Sequence, residues 1–278
     1  MNAIEIRNLT KKYDHFALQD LSLTLPSGCI LGLVGENGAG KTTVIKLMLD
    51  MIRRDGGEIY LLGQESRRCS REDLGVILDE PGIPECLTAK QVGKIMAGIY
   101  RNWDSQTYDH SLERLAVPAG KTYKEFSRGM KMKLGIAIAL SHDAKLLILD
   151  EPTNGLDPVV RDEVLDLFSE FTRDERHTIL ISSHIVSDLE KICDYIAFLH
   201  QGRLMLMEEK DVLCERYVML HCTKEELESL DPAAIRGRKE SLYGVKAIVL
   251  RDAIPAGLHM TPVSIEELFV FMVKEAGG

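Results

Sequence analysis

Apolar residues follow two alternating rhythms along the chain. In the first 35 residues they gather into short runs rich in Ile, Leu and Val, at 3–7, 17–25 and 29–34, separated by turn signals at 11–14 and 26–28. Such runs predict strands. Val44, Ile45, Leu47 and Met48 then recur at helical spacing and predict a helix over 41–51, with a strand following at 58–62. Residues 84–145 change rhythm. Val92, Ile95, Met96 and Ile99 mark one helix, Leu112, Leu115 and Val117 a second, and Met132, Leu134, Ile136, Ala137 and Leu140 a third. Beyond them strand and helix alternate: strand 146–149, helix 159–173, strand 178–182, helix 186–193, strand 195–200. Alternation of this kind implies an α/β fold, a mostly parallel sheet with both faces covered. The helical lobe at 84–145 reads as an insertion into it. The expected organisation is one domain over 1–210 and a small α+β appendage over 211–278. The appendage closes on a helix at 264–274, with Ser264 as N-cap and Glu267 three residues later.

Composition narrows the classes. The chain has 278 residues, 45% hydrophobic and 28% charged, which excludes a collagen, a disordered tail and a disulfide mini-protein. The charge-free stretch at 21–35 holds about fifteen residues and contains Pro26, Ser27 and Gly28. A spanning helix needs roughly 20 apolar residues, so no membrane segment is expected. The first residues lack a basic segment and an apolar core, so no signal peptide is expected either. Six cysteines without a C-x-x-C pair read as reduced thiols of a cytosolic protein. The net charge of −9 argues against nucleic acid as the main partner and requires any bound phosphate to be held locally.

A local holder is present. Gly35-Glu36-Asn37-Gly38-Ala39-Gly40-Lys41-Thr42-Thr43 fits the phosphate-loop pattern G-x-x-x-x-G-K-[ST], between a predicted strand and a predicted helix. The glycines let the backbone turn its N–H groups inward, where they and the helix N-terminus cradle phosphate oxygens. Lys41 is placed to reach the β- and γ-phosphates, and Thr42 to ligate Mg²⁺. The run Leu146-Leu147-Ile148-Leu149 ends in Asp150-Glu151. A carboxylate at the end of such a strand can hold Mg²⁺ beside the loop, and the adjacent Glu151 can polarise an attacking water. His184 follows another strand, at a place suited to a γ-phosphate contact.

Lys41, Asp150-Glu151, Asn154-Gly155-Leu156-Asp157 and His184, in this order, resemble the ATP-binding-cassette (ABC) ATPase subunit of transporters, a P-loop NTPase with an N-terminal antiparallel β subdomain. The resemblance covers residues 3–209 and is greatest to bacterial exporter-type cassettes of the bacitracin and lantibiotic kind. It implies ATP and Mg²⁺ as cofactors. It implies that Phe126-Ser127-Arg128-Gly129-Met130 stands for the family's Leu-Ser-Gly-Gly-Gln signature, with Ser127 and Gly129 kept and Arg128 and Met130 departing. It implies that Tyr13 stacks on adenine and that Asp157 lies at a dimer seam. Asp79 stands where the family has a metal-touching Gln, with Glu80 as the alternative one position on.

The mechanism so implied pairs two cassettes head to tail, as a homodimer or with a paralogue. Lys41, Thr42, Asp150, Glu151 and His184 of one chain meet Ser127 and Gly129 of the other across ATP. With no spanning helix expected, the pathway belongs to a separate membrane permease, docked on the helical lobe and the Asp79 loop. The chain is then expected at the inner face of the cell membrane. The competing reading is a cassette ATPase of translation or DNA repair. Translation types carry two cassettes in one chain and repair types long coiled coils, and neither is visible here.

Overall fold

The structure, a computed structural model, describes residues 1–78, 82–241, 244–255 and 258–276. It divides into two compact units, Met1–Met205 and Leu206–Gly278. The first opens with β1 (Asn2–Lys12) and β2 (Ala17–Pro26), passes through β3 (Ile30–Val34) and α1 (Lys41–Met48), and returns to β4 (Gly56–Leu61) and β5 (Gln64–Glu65). Four of these strands form an antiparallel sheet in the order β2-β1-β4-β5. The α1 helix stops at Met48, short of the expected end, because Asp50 turns the backbone to φ 56.

The helical lobe follows β6 (Leu74–Ile77) and comprises α2 (Ala89–Ile99), α3 (Ser105–Arg114) and α4 (Arg128–Leu140). Each start is capped. Thr88 and Gln91 form a reciprocal capping box, Asp104 accepts from the N–H groups of Gln106 and Thr107, and Ser127 Oγ accepts from Met130 N at 3.3 Å. Caps of this kind are worth about 1 kcal/mol each. The lobe is tied back to the core where the Tyr100 ring stacks on buried His142 at 4.0 Å.

The chain then alternates through β7 (Leu146–Asp150), α5 (Pro158–Phe171), β8 (Thr178–Ser183), α6 (Val186–Ile192), β9 (Tyr195–His200) and β10 (Arg203–Glu209). The resulting six-stranded sheet has the order β10-β9-β3-β8-β7-β6. β9, β3, β8, β7 and β6 pair in parallel. Every residue of β3, β7 and β8 is buried, as helices on both faces of a parallel sheet require. The register sets Val34 beside Ser183 and Asp150 beside Ser182. The chain therefore leaves β3, β7 and β8 at one end of the sheet, where such folds bind ligands.

The second unit contains α7 (Lys210–Arg216), β11 (Tyr217–Cys222), α8 (Lys224–Glu228), β12 (Ile235–Ser241), β13 (Gly244–Leu250), β14 (His259–Pro262) and α9 (Ile265–Ala276). Its sheet runs β12-β13-β11-β14, antiparallel throughout, and Leu227 and Leu230 pack on a cluster with Val218, Leu220, Val245 and Val249. The expected cap on the last helix is present: Ser264 Oγ accepts from Glu267 N, and a Glu267 carboxylate oxygen accepts from Ser264 N, each at 3.1 Å. No disulfide joins any of the six cysteines.

Gly202 joins the two sheets of the first unit. Its carbonyl accepts from Gln19 N and its N–H donates to Ala39 O in the phosphate loop, both at 2.9 Å. It sits at φ +76, and a Cβ there would lie 1.9 Å from Ala17 O. Gly202→Ala is expected to cost about 3 kcal/mol from left-handed strain and a backbone clash together. A thermal midpoint lowered by roughly 5–10 °C is the expected reading, and an unchanged midpoint would contradict it.

Candidate nucleotide site

The residues from Gly35 to Thr43 leave β3 and enter α1. Gly38 at φ +84 and Gly40 at φ +112 make the bend, and a Cβ on Gly40 would meet the Phe16 ring at 2.7 Å. Gly40 is also the N-cap of α1, and no side chain caps that helix. Its first N–H groups are therefore open to an anion, with the positive end of the helix dipole behind them. Gly35 and Ala39 are buried, while Glu36, Asn37 and Gly38 line the open cleft with Thr42 and Thr43.

Lys41 is 6% exposed, and its ammonium donates to Gly35 O at 2.6 Å and Glu36 O at 3.2 Å. Its third contact is Glu151 Oε1 at 3.1 Å. The ammonium expected to reach phosphate is thus held by the carboxylate expected to act on water.

Asp150, at the end of β7, is buried, and each of its carboxylate oxygens accepts a hydrogen bond. Thr42 Oγ1 donates to its Oδ2 at 2.8 Å, and Ser182 Oγ to its Oδ1 at 2.5 Å. Glu151 sits at φ 51, a left-handed conformation that costs a non-glycine residue about 1–3 kcal/mol and concentrates at functional sites. Its N–H is held by Ser182 O and Oγ, each at 3.1 Å. His184 Nδ1 lies 2.7 Å from Glu151 Oε2. A carboxylate only accepts, so Nδ1 carries the proton in this contact.

Tyr13 forms one wall of the cleft with His15 and Phe16. The Tyr13 ring is 47% exposed, and Lys11 Nζ lies 5.4 Å from its centroid. Ser127, Gly129 and Asp157 line a different hollow, with Leu156 and Val160, and none of the three lines the phosphate-loop cleft. Asp157 caps α5, accepting from Val159 N and Val160 N at 3.1 Å. Asp79 and Glu80 lie outside the described residues. Ser182 was missed by the sequence reading. Ser182 stands directly beside Asp150 in the β7–β8 register, a pairing that the sequence does not display.

A glycine-rich loop enters α1, β7 leads into Asp150-Glu151, and His184 is bonded to Glu151. A family model for the ABC transporter matches residues 18–154. The lantibiotic transport ATP-binding protein SrtF of Streptococcus pyogenes is 36% identical over 75% of this chain and 91% of its own length. The chain belongs to the ABC transporter ATP-binding proteins. The ABC transporter ATP-binding protein YtrB of Bacillus subtilis is 31% identical over 96% of this chain and 97% of its own, so its match extends through the second unit. The bacitracin transport ATP-binding protein BcrA of Enterococcus faecalis is 37% identical over 73% of this chain and 68% of its own. A solved ATP-binding subunit of an ABC transporter superposes with a TM-score of 0.67 at 28% identity, over 75% of this chain and 90% of that one. The fold is the P-loop NTPase fold of these cassettes, and the ABC subunit described here is a transport-coupled ATP hydrolase. Among the described residues no helix is long and apolar enough to cross a membrane.

Proposed function

We propose that this ABC subunit powers export through a separate membrane permease, by pairing head to tail with a second cassette around ATP. The observation that carries the pairing is the division of the site. Lys41, Thr42, Asp150 and Glu151 line one cleft, with His184 bonded to Glu151, while Ser127, Gly129 and Asp157 line another hollow. Ser127 and Gly129 then complete the site of a partner cassette, which is a second copy or a paralogue. The export reading draws support from the lantibiotic and bacitracin transport relatives. The helical lobe at 84–145, inserted in an ATPase domain over 1–210, is the docking face for the permease, and 211–278 is an appendage. The subunit then works at the inner face of the membrane, with no role for nucleic acid.

Within each site Glu151 polarises the attacking water, and His184 orients Glu151 and contacts the γ-phosphate. Lys41 and the open N–H groups of α1 hold the phosphates, and Tyr13 stacks on adenine. Thr42 and Asp150 offer hydroxyl and carboxylate oxygens, hard donors that suit Mg²⁺. A bound Mg²⁺ would offset charge on the β- and γ-phosphates.

Tyr13→Ala is expected to weaken ATP binding by about 1–3 kcal/mol, roughly 5- to 150-fold, with Tyr13→Trp near native. Equal affinity for Tyr13→Ala, read by equilibrium nucleotide binding, would remove the stacking role. Pairing is tested by light scattering on the Glu151→Gln variant with ATP and with ADP. Mass doubling in ATP, with the chain alone or after adding a paralogue, is the expected result. An ATP-loaded variant that remains at the 31.1 kDa chain mass in both cases would overturn the head-to-tail reading.

A further inference from the structure

From Glu151 the chain runs through Asn154 and Asp157 into α5. From His184 it runs through Ile185 into α6. Each helix carries a charged residue within its first turn, Arg161 on α5 and Asp188 on α6. Arg161 Nη2 donates to Leu156 O at 3.4 Å, and Arg161 Nε stands 3.7 Å from Asp188 Oδ2. The Asp188 side chain is 5% exposed, and neither Nε nor Oδ2 has a hydrogen-bond partner among the described residues.

A buried carboxylate is costly unless a cation faces it, and an apolar residue of similar volume would cost less. The pair is therefore a poor source of stability and a strong constraint on geometry. An N–H···O bond closes at about 2.9 Å, so the two groups are held about 0.8 Å beyond bonding distance. A second ion pair between these helices, Lys191–Asp162 at 2.8 Å, has both side chains more than half exposed and contributes little.

We propose that Arg161 and Asp188 are positioning residues of hydrolysis. Their contact sets the spacing between the 154–157 loop and the His184 segment, and so keeps His184 Nδ1 on Glu151. The proposal rests on Glu151 and His184 acting as assigned above. The fork of Arg161 meets Leu156 O and Asp188 together, which the single point charge of a lysine does not do. The phosphate cradle belongs to β3 and α1 and does not depend on this contact. Loss of the pair therefore lowers kcat and leaves KM for ATP in place.

The test measures steady-state ATP hydrolysis by the full chain, native and as Asp188→Asn, Arg161→Lys, the double variant and Asp188→Glu. Rates are normalised to ATP-binding sites so that unfolded protein is not counted. Asp188→Asn and Arg161→Lys are each expected to lower kcat about tenfold, with KM within about twofold of native, since sub-ångström misplacement is felt at the reacting atoms. The double variant should be no slower than the slower single variant. Asp188→Glu, whose longer arm spans the gap, should recover kcat to within about threefold of native. Unchanged kcat in both single variants, KM rising in step with the loss, or fully additive losses would overturn the proposal. Glu151→Gln is measured alongside. If it hydrolyses ATP at the native rate, the Glu151 assignment fails by itself, whatever Asp188→Asn does.

Discussion

Glu151→Gln is expected to bind ATP at least as tightly as the native subunit and to hydrolyse it about 10²–10⁴ times more slowly. The amide keeps the size of the side chain and cannot take a proton from water. The backbone strain at φ 51 and the two Ser182 contacts to the Glu151 N–H do not depend on the carboxylate, so the local fold survives. Removing the charge also releases Lys41 from its 3.1 Å ion pair and leaves it for phosphate. Binding should thus hold or tighten while turnover collapses. Steady-state phosphate release and equilibrium ATP binding, measured on the same preparation, check both halves. Parallel loss of the two would mean that Glu151 supports the cradle and does not act on water.

Lys41→Ala is expected to weaken ATP binding at least about 100-fold. Charge-assisted hydrogen bonds are worth about 1.5–3 kcal/mol each, and 2.7 kcal/mol is a factor of about 100. The loss has a second part. Without its ammonium, Glu151 stays as an uncompensated carboxylate next to the phosphates, in a chain that already carries a net charge of −9. Repulsion then adds to the missing attraction. Titration with a fluorescent nucleotide reads the change, and affinity within tenfold of native would show that the backbone cradle alone holds the phosphates. The double variant Lys41→Ala with Glu151→Gln should recover part of the affinity, because it removes the repulsion.

The core was legible because its chemistry restricts residue types. A phosphate loop needs glycine at Gly38 and Gly40 for positive φ and close approach, so its spacing survives as a pattern. Fully buried β3, β7 and β8 show as unbroken apolar runs. The second unit was less legible. Its edge strands β12 and β14, Ile235–Ser241 and His259–Pro262, are polar, and their strand character comes from pairing with neighbours. β10 was missed for a related reason, since Arg-Leu-Met-Leu-Met-Glu-Glu suits helix and strand alike. In the site, Ser182 was hidden because a serine in a strand carries no signature until the register sets it beside Asp150. Arg161 and Asp188 belong to no sequence motif, and only their approach in space distinguishes them.

The most direct test of this ABC subunit as the proposed motor of a membrane complex is recovery from native membranes. Tagged Glu151→Gln protein, purified in mild detergent with ATP present, is predicted to bring down a second cassette and a hydrophobic subunit with several spanning helices. Recovery of the chain with ribosomes or DNA-repair proteins, and with no membrane subunit, would contradict it.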